Sequence, residues 1–141
     1  MSDIMKQILQ LTEYKSNIPV FVMKNQVVSF AWMGTYSEVC LKSSMRLTKI
    51  KVNEAPLDIL QHIHALKFTS FENGHPLYIS KDMIIAFRQY DYNDSCTVIS
   101  LDSITGKTPA YIGVRDKQLI NYIRVKETPE EIEKIIDADC S

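Results

Sequence analysis

The sequence predicts an α+β fold. We expect a tandem duplication of a small antiparallel β-sheet unit, four to five strands and then one short helix, with the copies packed in pseudo-two-fold symmetry. Three observations predict it. Leu9–Met33 (LQLTEYKSNIPVFVMKNQVVSFAWM) aligns without a gap on Leu66–Tyr90 (LKFTSFENGHPLYISKDMIIAFRQY), 57 positions on. Leu47–Ile63 (LTKIKVNEAPLDILQHI) aligns on Ile120–Ile136 (INYIRVKETPEEIEKII), now 73 positions on. Within each copy, period-2 patterning gives way at the end to a helical stripe. The copies divide the chain at 1–64 and 65–141, and sixteen residues, expected around 103–118, are inserted in the second.

The second copy has the cleaner signals. Leu66–Phe71 alternates apolar and polar residues as a half-buried strand does. Asn73-Gly74 reads as a tight turn, both types accepting positive φ. Pro76 lacks an N–H and suits a strand start or edge. Leu77–Ile79 continues extended, Ser80-Lys81-Asp82 interrupts, and Met83–Phe87 is β-rich. Cys96–Leu101, Tyr111–Val114 and Leu119–Val125 read as further strands. Thr128-Pro129-Glu130-Glu131 then opens a helix. Thr128 and Glu131 have capping-box spacing, Pro129 suits the first helical position, and Ile132, Ile135 and Ile136 form one apolar stripe.

The first copy follows the same course more roughly. Tyr14-Lys15-Ser16-Asn17 replaces the Asn-Gly turn. Ala55 stands where Thr128 caps, so this helix start is the weaker by about 1 kcal/mol. Glu54 and Glu127 precede the two helices at equivalent places, and we expect them to be exposed partners of the helix dipole.

Composition excludes several classes. With 141 residues, 45% hydrophobic and 23% charged, the chain is ordinary globular protein. A net charge of −1 removes the broad drive toward a phosphate backbone. No apolar run is long enough to span a bilayer, and MSDIMKQ has no signal-peptide layout. Cys40, Cys96 and Cys140 are odd in number and lack CxxC spacing, which suits reduced thiols in a cytoplasm. Signal-peptide-independent secretion leaves the same picture.

No motif carries chemistry well. Gly106-Lys107-Thr108 resembles the tail of a phosphate loop, but Leu101 stands where the first glycine belongs and Pro109 follows at once. His62, His64 and His75 lack a metal-ligand spacing and read as surface residues, so no metal or cofactor is expected. Cys40 and Cys96 fall at nearly corresponding places and read as core thiols. Binding is better signalled by aromatic residues near strand ends (Trp32, Tyr90, Tyr92, Tyr111, Tyr122) and by Lys107, Arg115 and Lys117 in the longer copy. We take Lys107, Tyr111, Arg115, Lys117, Tyr90 and Tyr92 as the candidate interaction residues.

Two stretches of the second copy carry a resemblance. Leu66–Ile84 (LKFTSFENGHPLYISKDMI) and Val125–Ile132 (VKETPEEI) resemble the opening and the close of the small bacterial flagellar FlbD-like family. The resemblance implies a small non-enzymatic bacterial protein and supplies no catalytic residues.

The function expected is a non-catalytic protein-interaction module: an adaptor, regulator or effector-like bacterial protein, cytoplasmic, with a protein partner and room for a homodimer. The first alternative is a nucleic-acid-binding β-domain using Lys107, Arg115, Lys117, Arg124 and Lys126 with Tyr111 and Tyr122. The second is a thiol enzyme built on Cys96 or Cys40. The insertion and the sharper signals of the second copy bias the expected surface toward that copy.

Overall fold

A computed structural model describes residues 7–42, 47–89, 110–115 and 120–140. The elements run β1 (Ile8–Thr12), β2 (Pro19–Met23), β3 (Val27–Trp32), β4 (Ser37–Lys42), β5 (Leu47–Val52), α1 (Pro56–Leu60), β6 (Ala65–Thr69), β7 (Pro76–Ser80), β8 (Ile84–Gln89), β9 (Ala110–Arg115), β10 (Ile120–Val125) and α2 (Pro129–Cys140). Single 3₁₀ turns, Lys24–Gln26 and Lys81–Met83, join β2 to β3 and β7 to β8. The fold is α+β, mostly antiparallel sheet with a helix closing each half. The bounds of β6, β7 and β8 are those of β1, β2 and β3 advanced by 57 residues, and those of β9 and β10 are β4 and β5 advanced by 73.

The strand bounds move the expected insertion. In the first half a short turn closes β3 on β4, with Met33 N–H donating to Tyr36 O at 2.7 Å and Gly34 at φ 104°. In the second half the extra length falls between Gln89 and Ala110. Residues 110–115 of the expected 103–118 segment are therefore regular strand, and 103–109 and 116–118 lie outside the described residues. Cys40 has Gly113 as its counterpart rather than Cys96, which is also outside them.

Each half opens with the same hairpin from different residues. Glu13 N–H donates to Ile18 O and Asn17 N–H to Glu13 O; Ser70 N–H to His75 O and Gly74 N–H to Ser70 O do the same in the second half. Asn17 (φ 60°) and Gly74 (φ 75°) take the left-handed position, and Lys15 (φ 76°) takes a second one in the first turn. In the second turn only Gly74 of the expected Asn-Gly pair has positive φ. Asn73 instead accepts the His75 N–H on its side chain at 2.9 Å.

The helices differ as their caps do. Thr128 and Glu131 form the reciprocal box, Thr128 N–H donating to Glu131 Oε1 at 2.9 Å and Glu131 N–H to Thr128 Oγ1 at 3.2 Å. Ala55 offers no side-chain cap, and α1 has five residues against twelve in α2.

Two cores result, and each borrows from the other half. The first gathers Leu9, Leu11, Val22, Phe30, Val39, Val52 and Ile59 around Tyr78 of β7. The second gathers Phe68, Ile79, Ile112, Val114, Val125 and Ile132 with Val28 and Cys40 of β3 and β4. The exchange follows from one pairing: β3 meets β7 at Ser29↔Ile79 and Phe30↔Tyr78, making a five-stranded sheet β5-β4-β3-β7-β6. The Phe30 and Tyr78 rings stack at 5.4 Å, and the Ser80 hydroxyl donates to Val27 O at 2.7 Å.

The expected two-fold relation between the halves would require β2 to pair with β8 as β3 does with β7. Among the described residues β2 pairs only with β1, and β8 only with β9. The halves meet along one edge and not reciprocally.

Candidate functional site

Where the halves meet, the outer face of the β3-β4-β5 meander looks across at the β6–β7 turn and β10. A cleft of about 530 Å³ opens between them. Cys40 and Leu47 of the first half and Leu77 and Ile123 of the second give it an apolar floor. Strand alternation brings Glu38 and Lys49 onto this same side, and their side chains pair at 3.5 Å. On the facing wall Arg124 pairs with Glu72 at 3.0 Å and lies over the Phe71 ring at 5.4 Å. Tyr122 lines the cleft and is exposed.

Of the residues expected to bind, β9 holds Tyr111 and Arg115, with Tyr111 in register with Arg88 and Arg124. Tyr90, Tyr92, Lys107 and Lys117 lie outside the described residues. Of the other aromatics, Trp32 ends β3 exposed. A group the sequence did not single out lies at the end of the first half, where Tyr14 and Tyr36 meet at 4.9 Å and Lys51 sits 5.1 Å over the Tyr36 ring.

No protein-family model, curated protein or solved structure matches the chain.

Cys40 is buried under the cleft. Burial pushes its thiol above the ordinary value, and Lys49 and a hydrogen bond with Ser29 pull it only partly back. A thiol so held carries little thiolate at neutral pH, which is the nucleophilic form.

The two carboxylates ahead of the helices are not exposed dipole partners. Glu54 accepts Thr12 N–H on Oε1 and the Thr12 hydroxyl on Oε2, both at 2.9 Å. Glu127 accepts the same pair from Thr69, at 3.0 and 2.9 Å. Each carboxylate is half-buried and fastens the end of the unit's first strand to the segment after its last. The signal was present: both threonines and both glutamates recur between copies, but under different shifts.

His62 and His64 line a second, smaller hollow of about 290 Å³. Among the described residues no three metal-ligating side chains converge. His64 instead lies 3.0 Å from Asp139 of α2, which also accepts from Lys81 Nζ at 2.7 Å. The Lys81 bond first, then the His64 bond, holds the Asp139 carboxyl below its ordinary value. The stabilisation is present above the ordinary carboxylate pKa of about 4 and is lost as pH falls through the lower folded value. Wild type should therefore exceed Asp139→Asn in thermal midpoint near neutrality, and the gap should close in acid below about pH 4. A gap that persists unchanged in acid would show that this carboxylate contributes nothing as an anion.

Proposed function

We propose that the chain is a non-catalytic protein-interaction module made by tandem duplication of one β-sheet-and-helix unit, and that it works in a bacterial cytoplasm as an adaptor or regulator. The inter-half cleft carries this reading. An apolar floor with an exposed tyrosine and charges of both signs at its rim suits an extended peptide segment, as protein interfaces favour an apolar centre and a polar margin. Kinship with the FlbD-like family would supply the same class of role. Among the described residues no helix is long and apolar enough to cross a membrane. Burial, which raises the Cys40 thiol above its ordinary value, counts against the thiol-enzyme alternative at Cys40 alone; Cys96 lies outside the described residues.

The nucleic-acid alternative has less to draw on in the described residues. Arg124 is engaged with Glu72, and Lys49 with Glu38, so a phosphate would have to displace a carboxylate at either wall.

A photo-crosslinking residue in place of Tyr122 tests the reading in bacterial extract. A discrete protein adduct is expected, abolished by Lys49→Glu with Leu77→Asp. Alanine at Lys107, Arg115 and Lys117 should weaken capture more than alanine at Lys42 and Ser44. Absence of any protein adduct, together with a mobility shift of nucleic acid at low salt, would replace this function by the alternative.

A further inference from the structure

The one-sided junction leaves two strand edges whose counterparts are joined inside the same chain. β3 and β7 bury each other: Val27 to Phe30 are buried on both faces, as are Tyr78 to Ser80. Their counterparts under the 57-residue shift are β8 and β2, and among the described residues no strand pairs with the outer edge of either. Phe21, the counterpart of Tyr78, is 65% exposed; Met23 is also exposed, and Ile85, the counterpart of fully buried Val28, is 36% exposed. Phe21, Met23 and Ile8 stand together on the outer face of the β1–β2 hairpin, because Ile8 is in register with Met23 and Gln10 with Phe21. The same outer face of β6–β7 delivers Tyr78 to the first core.

Bare sheet edges are normally blunted by charge, by a bulge or by cover. β2 (PVFVM) has no charged residue, and β8 (IIAFRQ) has one, Arg88, near its far end. β8 does carry a bulge between Ile84 and Ala86, but β3 has the same one between Val27 and Ser29 and pairs with β7 regardless. The bulge is therefore no bar to pairing.

We propose that a second copy of this chain docks here, β2 of one molecule pairing antiparallel with β8 of the next, in the register copied from β3 and β7: Val22 opposite Ala86 and Phe21 opposite Phe87. Phe21 then stacks on Phe87 as Tyr78 does on Phe30. The internal template identifies the occupant, since each bare edge has the backbone register and apolar partners that the other lacks. One bond of the template is missing, because Met23 replaces the Ser80 that donates to Val27 O, so the contact between chains is weaker than the one within. Two different strands meet, so the contact is heterologous and continues until it closes a ring or extends.

Sedimentation of the intact chain across a concentration series tests this. The mass is expected to rise above one chain with concentration. Phe21→Lys and Ile85→Lys should each return it to a single chain, while Leu57→Lys, at an equally exposed residue (65%) on α1, should not. Because these side chains are exposed, circular dichroism should show all three folded. In a background with the three native cysteines replaced, Met23→Cys and Ile85→Cys chains, one step along the same register, should give a disulfide heterodimer when mixed. A single-chain mass at every concentration would overturn the proposal. So would self-association indifferent to both edge substitutions, or a disulfide closing within one chain when both cysteines are placed together.

Discussion

Phe30→Ala should lower the unfolding free energy by about 3–5 kcal/mol, the usual cost of emptying a fully buried aromatic site. Phe30 has no exposed surface, lies opposite Val39 on one side and Tyr78 on the other, and stacks on the Tyr78 ring. Its loss opens a void where, among the described residues, the two halves share a sheet. Small domains have only about 5–15 kcal/mol in total, so the variant should be marginally folded at room temperature. Equilibrium urea unfolding measures it. Phe87→Ala, at the half-buried counterpart in β8, should cost clearly less; equal losses would show that the β3–β7 junction adds nothing to ordinary burial. A double cycle with Tyr78→Ala should give a coupling of about 0.5–1.5 kcal/mol for the stacked rings.

The next largest effect is expected at the glutamates. Glu127→Ala removes a charged acceptor from two donors and leaves the half-buried Thr69 N–H without its partner, a loss of about 2–4 kcal/mol. Glu54→Ala should do the same to Thr12. Glutamine should cost less at either place, since its carbonyl still accepts from the amide and its NH₂ can donate to the threonine oxygen. Hydrogen exchange reports the site directly: the Thr69 amide should lose protection in Glu127→Ala while the Thr12 amide keeps it. Simultaneous loss at both would mean that the two halves unfold as one cooperative unit.

Local features of this fold were legible in the sequence, and non-local ones were not. The capping box of α2 needs only Thr128 and Glu131, three residues apart, and it forms as expected. β9 and β10, expected at Tyr111–Val114 and Leu119–Val125, follow from period-2 patterning over a few residues. The β3–β7 junction joins Ser29 to Ile79, fifty positions away, and depends on which of two equivalent edges is used. Phe30 and Phe87 are the same residue in nearly the same local pattern, yet one is buried by a strand from the other half and the other is not. The sequence points to too late a position for the insertion because the change of shift can be drawn anywhere between the two aligned segments, whereas the strand bounds put the extra length between Gln89 and Ala110. Matching Val39 and Leu41 to Ile112 and Val114 would have placed it before Ala110. The inter-half cleft depends on the same junction, so its two walls, from β3-β4-β5 and from the β6–β7 turn with β10, had no common signal in the chain.

The glutamate–threonine clamps have a consequence for how such a chain can grow. Each clamp fastens the end of a unit's first strand to the segment just ahead of its helix, so the closing helix starts beside the first hairpin turn. Only Gln61–His64 separates α1 from β6. A unit of this kind can be spliced in series through a four-residue connector without rerouting any strand, and what then limits the number of units in a row is the edge each one presents to the next.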